Sequence, residues 1–353
     1  MTMAANWRCK MKNFLKRKKT DDGPEDPPSR ITNETVAEHR EKVLAGGRKF
    51  KYPVQYQRHK LVINTVIIAV GAIVLLSILG WYLLYVAQDT SKLTYRITQL
   101  IPVRVASVDG EPVRYSDYLM RYRSSLFYMQ KQDAINLNTS DGKRQAAYYQ
   151  RQELTNAERN AYVSKLAREN NVSVSDQEVT DFIQKDIDAK SVSLNAYEKT
   201  VLNSYYDWSL DEYRSIVRGE LLKRKVSFVV DTAAKQRADE LYQKVTSGAD
   251  FATVATESSD DDTTKAAGGD SGALPLDSLD SDGLIAAAKK LDVNQESGLI
   301  KGVDGYYLIK LIAKSSDSIQ YRIIKVKLTV FDQKFASLQN QGKIKEYISV
   351  ADQ

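Results

Sequence analysis

The side chains best suited to covalent or metal chemistry are confined to the first 60 residues of this 353-residue chain. Its one cysteine is Cys9, and its two histidines are His39 and His59. Any chemistry after residue 60 must therefore do without Ser-His or Cys-His nucleophiles and without the common zinc sites. A single cysteine also excludes an internal disulfide. The sequence predicts no metal and no cofactor.

Farther along the chain, acidic residues and glycines concentrate in one short stretch. Three aspartates, Asp260–Asp262, precede Gly268-Gly269-Asp270 and Gly272, in a chain with only 17 glycines. Glycine adopts positive φ and has no Cβ, so two adjacent glycines predict a sharp reversal where one backbone approaches another closely. A plain flexible loop is the alternative.

The segments around this loop predict an α+β unit over residues 226–315. KVSFVVDTA, residues 225–233, is rich in β-branched residues and predicts a strand. Three helices should follow: an amphipathic one stopped by Gly248, a short one at ADFATVATES, and a third at LIAAAKKL. DGYYLIKLI predicts a closing strand. The predicted order is β-α-α-α-β around an antiparallel sheet.

At these residues the chain resembles the parvulin (PpiC-type) peptidyl-prolyl isomerases. The resemblance is carried by GADFA at 248–252, Ala255, Ser259, the Gly268-Gly269-Asp270 element with Gly272, and Gly305-Tyr306. It implies catalysed rotation about X–Pro amide bonds, a slow reaction with a barrier near ~20 kcal/mol. No covalent step is needed, because a catalyst has only to bind the twisted amide better than the planar forms.

The resemblance also implies catalytic positions. The acidic-loop position falls on Asp261, and the last-strand histidine position falls on Tyr307. The first-strand histidine position falls on Ser227, or on Phe228 if the register shifts by one residue. Both usual histidines are therefore absent, so the resemblance leaves open whether the isomerase activity survives.

Substrate-binding positions follow in the same way. Leu284 falls at the phenylalanine position of the proline pocket, and Gly268 and Gly269 belong to the loop beside the substrate. Phe228 is a further candidate on the predicted first strand. The substrates that the resemblance implies are unfolded or proline-containing polypeptides.

Residues 100–225 predict a mostly helical domain that opens with a strand leading to the Asp109-Gly110 turn. Two capping boxes, in SVSDQEV and SLDEY, predict helix starts at Ser175 and Ser209. The many tyrosines either fill the helical core or line a groove for unfolded chains. The segments VDGEPVRYSDYL and NVSVSDQEV are similar to the N-terminal helical domain of SurA- and PrsA-type foldases.

Residues 61–88 carry no charge and predict a transmembrane helix. Twenty-seven residues of helix measure about 40 Å, enough to cross ~30 Å of hydrocarbon with some tilt. Trp81 and Tyr82 lie near its end, and Arg58 and Lys60 flank its start. The positive-inside rule then places the N-terminus in the cytoplasm and residues 89–353 outside.

Residues 1–60 predict a basic, largely disordered cytoplasmic tail. They hold 15 Lys/Arg against 7 Asp/Glu, whereas the rest of the chain holds 36 against 38. Charge blocks and prolines favour disorder in its first half, and ETVAEHREKVLAGG predicts a short helix ending at Gly46. Because the excess of basic over acidic residues is confined to this end, the sequence argues against nucleic acid as a partner.

Residues 316–353 predict a strand from Ile319 and a helix from Asp332 to Tyr347, which we expect to pack back on the helical domain. The whole pattern predicts a membrane-anchored extracytoplasmic folding factor that binds unfolded secreted or envelope proteins. Two alternatives keep the same fold: a chaperone without catalysis, and a docking module of an envelope complex with one defined partner.

Overall fold

The computed structural model of the chain describes residues 32–51 and 53–351, with side chains described at 32–47 and 59–351. The chain divides into two units, residues 1–77 and 78–353. The disorder predicted for the first half of the tail, and Cys9, lie outside the described residues. The second half is more ordered than predicted, because α1 spans Asn33–Lys51. It continues past Gly46, since glycine weakens a helix by about 1 kcal/mol without ending it.

The apolar segment is helical throughout. Helix α2 spans Pro53–Trp81, and a π-helical turn at Tyr82–Val86 follows it directly. The stretch His59–Val86 is 28 residues long. Its most apolar 18-residue window has a mean hydropathy of 2.7, and none of that window is buried. By length and composition it is the one helix in the described ranges that is able to cross a membrane.

The unit of residues 78–353 opens with helices around a small sheet. Its first elements are α3 Lys92–Leu100, β1 Arg104–Val108, β2 Glu111–Arg114, α4 Tyr115–Lys131, α5 Ser140–Glu169, α6 Asp176–Lys190, α7 Leu194–Tyr197, a π-helical segment Glu198–Tyr206 and α8 Leu210–Val230. Both predicted capping boxes are confirmed: Ser175 pairs with Glu178 at the start of α6, and Ser209 pairs with Glu212 at the start of α8. The opening strand and the mostly helical character are confirmed as well.

The end of the chain completes this helical part. Helix α12, Val330–Asn340, contributes Phe331, Phe335 and Leu338 to the buried cluster that α4 and α5 form. Strand β7, Ile344–Glu346, pairs antiparallel with β1, which gives the sheet order β2-β1-β7. The helix thus returns to the helical part as predicted, whereas the predicted strand from Ile319 belongs to the second sheet instead. The predicted extension of the helix to Tyr347 is wrong, because Gly342 takes a φ of 63° just after α12 and ends it.

A second sheet lies between α8 and α12. Its elements are α9 Thr232–Thr246, α10 Phe251–Ser258, a 3₁₀ turn Lys265–Ala267, β3 Leu274–Pro275, α11 Leu284–Ala288, β4 Ile300–Lys301, β5 Gly305–Lys314 and β6 Ser318–Lys327. The strand order is β3-β6-β5-β4, and all neighbours are antiparallel. The three predicted helices and the closing strand β5 are confirmed.

The two faces of this sheet bury different sets of side chains. Helices α9 and α10 pack on the face that carries Tyr306 and Leu308. Helix α11 packs on the opposite face, with Tyr307 and Ile309. Successive residues of a strand point to opposite faces, so the adjacent tyrosines of β5 belong to separate environments.

The strand predicted at residues 225–233 is wrong. These residues complete α8 and begin α9, and β6 occupies the place in the sheet between β3 and β5. The β-branched residues fit a helix here because Val226 is buried among α4 and α5, while Phe228 packs beside α9. The sheet therefore extends past residue 315, where the sequence placed its end.

A buried aspartate ties α9 to α12, and we expect its loss to be costly. Asp231 is 2% exposed, and its carboxylate accepts from Ala234 N at 2.9 Å, Thr329 N at 2.7 Å and Val330 N at 3.1 Å. Asp231→Ala should lower the free energy of unfolding by about 2 kcal/mol, because it leaves buried amides without acceptors. Urea unfolding of the full chain in detergent measures the loss.

The matched control is Asp250→Ala, which removes the exposed cap of α10 that binds Thr253 N at 2.9 Å. This change should cost about 1 kcal/mol or less, the usual value of a single helix cap. Equal losses for the two variants would contradict the bridging role of Asp231.

Candidate functional site

The candidate site lies on the α11 face of the second sheet, where two predicted residues share one buried cluster. Leu284, at the start of α11, and Tyr307, on β5, are 7% and 5% exposed. The cluster also contains Ile285, Ala288, Ile309, Leu311, Ile319, Tyr321 and Ile323. A buried apolar cluster that includes Leu284 and Tyr307 is therefore present where the resemblance places a proline pocket.

The Tyr307 hydroxyl belongs to a polar group that sequence reasoning missed. It donates to Asp304 Oδ1 at 2.7 Å, and Lys325 Nζ binds Asp304 Oδ2 at 2.8 Å. Lys325, on β6, pairs across the sheet with Tyr307, and its Nζ lies 5.4 Å from the centre of the Tyr307 ring. One carboxylate thus holds a phenol and an ammonium together beside the apolar cluster.

The charges in this group shift two pKa values in opposite directions. Burial, followed by the hydrogen bond to Asp304, raises the pKa of Tyr307, so its hydroxyl stays protonated. Burial alone would raise the pKa of Asp304, but the hydrogen bonds from Lys325 and Tyr307 outweigh it and hold that pKa below its usual value. At neutral pH the group therefore combines a neutral phenol, a carboxylate and an ammonium.

The acidic loop comes close to the same strand. Asp261 accepts from Thr264 Oγ1 at 2.5 Å, and its amide donates to Ser259 Oγ at 3.2 Å. Ser259 Oγ, fully buried, also accepts from the amide of Lys325 at 3.0 Å. The neighbouring Asp260 pairs with Arg237 at 2.7 Å, and its amide donates directly to the Lys325 carbonyl at 2.8 Å. Asp260 therefore joins the loop to β6 directly, whereas Asp261 is linked to Lys325 only through Ser259.

The two adjacent glycines allow this loop to approach β6. Gly268 and Gly269 have φ values of 65° and 79°, a region that other residues rarely adopt. A Cβ on Gly269 would lie 2.4 Å from the carbonyl oxygen of Ile323. Instead, the Gly269 carbonyl accepts from Ile323 N at 2.7 Å. The predicted reversal with close backbone approach is confirmed, and a plain flexible loop is not what the structure shows.

Ser227 and Phe228 do not take the positions that the sequence suggested, because both lie on α8 and no strand forms there. Phe228 packs against Tyr306 with ring centres 4.9 Å apart, on the face opposite to Leu284 and Tyr307. Ser227 lines a cavity of about 260 Å³ that Asp304 also borders. In the part of the chain that the structure describes, no hydrogen bond joins Ser227 to Tyr307 or Asp261.

Asp304 and Lys325 were missed for different reasons. Asp304 directly precedes the Gly305-Tyr306 element that the resemblance uses, so its proximity to Tyr307 was readable from the sequence. Lys325 lies in IQYRIIKVK, which alternates like a strand but gives no sign of which strand it will pair with. Over residues 32–51 and 53–351, no group of three or more His, Cys, Asp or Glu is placed to hold a metal.

Comparison with known proteins finds two family models that match this chain. A family model for the SurA-like N-terminal domain matches residues 55–227, and a model for the PPIC-type PPIASE domain matches residues 226–313. The foldase protein PrsA of Caldanaerobacter subterraneus subsp. tengcongensis is 26% identical over 209 residues, which cover 51% of this chain and 65% of that protein. The match thus spans less than two thirds of the relative's length.

Two solved structures also match part of the chain. The peptidylprolyl isomerase PrsA from Bacillus anthracis is 19% identical, over 51% of this chain and 84% of that one, with a TM-score of 0.18. The foldase protein PrsA from Streptococcus pneumoniae is 19% identical, over 54% and 77%, with a TM-score of 0.19. Strand β6 lies outside the matched PPIC segment, although it is a central strand of the sheet.

Proposed function

We propose that this chain, a SurA/PrsA-like protein with a parvulin domain, is a membrane-anchored folding factor that catalyses prolyl isomerisation in unfolded polypeptides. The helical part, residues 100–225 with the returning C-terminal segment, would hold the client. The parvulin domain would act on its X–Pro bonds. Residues 61–88 would anchor the protein, with the N-terminus in the cytoplasm and the clients, secreted or envelope proteins, outside.

The observation that carries this proposal is the pairing of an apolar surface with fixed donors. Rotation of an X–Pro amide requires a place for the proline ring and groups that favour the twisted amide over the planar forms. Leu284 and its buried apolar cluster would receive the proline ring, and the Lys325 ammonium and Tyr307 hydroxyl would supply donors beside it. Donors held rigidly before the reaction stabilise a transition state without a further cost of reorganisation.

The residues take distinct roles in this proposal. Leu284 contacts the proline ring, and Tyr307 and Lys325 face the substrate amide. Asp304 positions both of them through its two oxygens. Asp261 fixes the acidic loop against β6 through Ser259, and Gly268 and Gly269 let that loop reach the strand.

Client binding by the helical part is supported by an aromatic cavity of about 290 Å³. It is lined by Tyr128, Tyr149, Tyr206 and Trp208, with Arg121 at its side. The rings of Tyr206 and Trp208 stack at 4.8 Å, and those of Tyr128 and Tyr206 lie 6.0 Å apart. Aromatic side chains offer extended polypeptides a large apolar surface at little conformational cost.

A chaperone without catalysis is the second candidate, and one observation favours it. Each oxygen of Asp304 already binds one of the two donors, so both donors have a strong partner in the absence of substrate. If those bonds persist when a peptide binds, the donors are not free to act on its amide. A docking module with one defined partner would share this property.

Prolyl isomerisation of a set of tetrapeptides by the full chain in detergent micelles tests the proposal, together with suppression of aggregation of an unfolded protein. We expect isomerisation well above background. Leu284→Ala should reduce kcat/KM at least tenfold because it removes the contact to the proline ring. Tyr307→Phe should reduce it about threefold or more because it removes a donor to the twisted amide. Aggregation suppression should remain unchanged in both variants.

The matched control is Leu279→Ala, a leucine that is 92% exposed in the same domain and that should leave kcat/KM unchanged. Melting temperatures of all variants show whether a lost activity reflects unfolding. Wild-type protein that suppresses aggregation without isomerising any peptide would establish the chaperone reading. Protein that does neither would favour the docking module.

A further inference from the structure

Directly after the apolar segment, a short helix presents an apolar face that the rest of the protein leaves uncovered. On α3, Leu93 is 71% exposed, Ile97 44% and Leu100 85%, and Ile101 just after it is 56% exposed. Positions separated by three and four residues lie on one side of a helix, so Leu93, Ile97 and Leu100 form a single stripe. Its opposite side is buried, with Thr94, Tyr95 and Thr98.

Helix α3 is held firmly against the folded part of the unit. The Tyr95 hydroxyl donates to Glu212 Oε1 at 2.7 Å, which ties it to α8. Ser91 caps its N-terminus by accepting from Thr94 N at 3.3 Å, and Asp89 binds both Ser91 Oγ and Thr94 Oγ1. The exposed stripe is therefore a fixed feature of the surface.

The end of the apolar segment is fixed to the same body. Within residues 78–353, Leu84 is buried in the main cluster and its carbonyl accepts from the Tyr115 hydroxyl at 2.5 Å. The Tyr85 hydroxyl donates to the carbonyl of Arg104 at 2.7 Å. Asp89 N then bonds to Leu83 O at 2.9 Å, which fixes the chain between the apolar segment and α3. If residues 61–88 cross a membrane, α3 is held within a few residues of its outer surface.

We propose that the exposed stripe of α3 lies in the outer leaflet of the membrane and that the outer part of the protein is thereby docked on the bilayer in one orientation. This inference rests on the membrane span in the proposed function. An amphipathic helix binds a bilayer with its apolar face among the acyl chains and its cationic residues at the headgroups. Arg96, exposed beside the stripe, supplies one cation. Lys92 at the helix start supplies a second, which is 62% exposed and lies 3.6 Å from Asp207.

The aromatic residues at the end of the span agree with this placement. Trp81 and Tyr82 are 58% and 50% exposed, and such rings favour the headgroup level of a bilayer. The stripe begins eleven residues after Tyr82. Two contacts, the span and the stripe, would prevent the outer part from rotating freely about a single tether. The functional consequence is a client-binding surface at a constant height and angle above the membrane.

Fluorescence quenching in nanodiscs of phosphatidylcholine and phosphatidylglycerol tests the proposal on the full chain. In a Cys9→Ser background, an environment-sensitive dye is attached at one of three single substitutions: Leu100→Cys on the stripe, Ile73→Cys in the apolar segment, and Leu279→Cys as the control. Leu279, at 92% exposed, matches Leu100 in residue type and exposure. Lipids with a nitroxide on the upper acyl chain serve as the quencher.

We expect quenching of at least twofold at positions 73 and 100 and no quenching at position 279. A second variant, Leu93→Glu in the Leu100→Cys background, should reduce the quenching at position 100 by half or more. Quenching at 73 without quenching at 100 would overturn the docking and leave the span intact. Absence of quenching at 73 would overturn the span and the docking together.

Two other outcomes would assign the stripe to a protein partner and overturn the proposal. A dye at position 100 that is shielded from water but not quenched by lipid, and more so at higher protein concentration, would indicate a second copy of this chain. Shielding that develops only when unfolded polypeptide is added would indicate a client site.

Discussion

The Glu158→Gln variant should be more stable than the wild-type chain at pH 8 by about 3 kcal/mol, and the difference should shrink toward zero near pH 4. The wild-type chain should lose a similar amount of stability between pH 5 and pH 8, because Glu158 has a pKa of about 8 in the folded state against an ordinary value of 4.5. Thermal unfolding of the full chain in detergent at a series of pH values measures both effects, as a difference of roughly 6 °C or more at pH 8.

The cause is a buried carboxyl group, one of whose two oxygens has no hydrogen-bond partner among the described residues. Glu158, on α5, is 1% exposed, and its Oε1 accepts no hydrogen bond in the described part of the chain. Burial raises its pKa first, and the nearby charge of Glu346 on β7 raises it further, while Arg151 acts in the opposite direction. Arg151 is engaged elsewhere, because it binds Glu346 at 2.6 Å and the Val350 carbonyl at 2.8 Å.

The sign of the pH dependence follows from proton binding. Below pH 4.5 the carboxyl is protonated in both the folded and the unfolded chain, so it has no effect on their difference. Between pH 4.5 and about 8, the unfolded chain releases the proton and the folded chain keeps it. Stability is therefore present at low pH and is lost as pH rises through this window, the reverse of a salt-bridged carboxylate. Glutamine has no proton to release.

The control is Glu169→Gln on the same helix, where the side chain is exposed. It should leave the pH profile of the wild type unchanged, within about 0.5 kcal/mol. A Glu158→Gln variant with the same pH slope as the wild type would contradict the assignment of the slope to Glu158.

Replacement of Gly269 by alanine should destabilise the second sheet by about 4 kcal/mol. Two costs add: positive φ is strained for alanine by about 1–2 kcal/mol, and forcing an atom into a filled space costs a further ~1–3 kcal/mol. The added Cβ would lie 2.4 Å from the Ile323 carbonyl oxygen and 2.9 Å from its amide nitrogen. The backbone must move away, and the hydrogen bond from Ile323 N to Gly269 O is then lost.

Urea unfolding measures this effect, and amide hydrogen exchange at Ile323 locates it. Gly272→Ala is the matched control, because Gly272 also has positive φ, at 66°, but nothing lies within 4 Å of the added Cβ. It should cost only the strain of the conformation, about 1 kcal/mol. Similar losses in the free energy of unfolding for the two variants would mean that glycine is needed only for its positive φ. The close approach of the loop to β6 would then contribute nothing.

Features with local causes could be read from the sequence. The helix starts at Ser175 and Ser209 follow from hydrogen bonds within four residues, and both appear as predicted. The reversal at Gly268-Gly269 and the placing of Leu284 and Tyr307 in one cluster depend on short motifs in the parvulin-like order, and they appear as well. The family matches confirm the resemblance to SurA-like and PPIC-type domains.

Strand pairing was decided by tertiary structure alone. KVSFVV and YRIIKV are alike in β-branched residues, yet the first forms part of α8 and the second is the strand between β3 and β5. Local β-propensity cannot distinguish the two segments. Whether a segment forms a strand depends on whether it has a neighbouring strand to pair with and an apolar face to cover. α8 begins at a capping box and buries Val226 in the helical core, whereas β6 follows β5 through a short turn and pairs along its length.

The same difference in strand assignment determined which predicted residues lie in the candidate site. Residues 225–233 are not a strand, and the predicted strand from Ile319 joins this sheet as β6. Ser227 and Phe228 are therefore absent from the α11 face, and Lys325 lies there beside Tyr307 and Asp304. The sequence by itself determined the apolar half of the candidate site and its tyrosine. Only the tertiary structure determined that the Lys325 ammonium lies beside them, because the place of β6 in the sheet is set by long-range strand pairing.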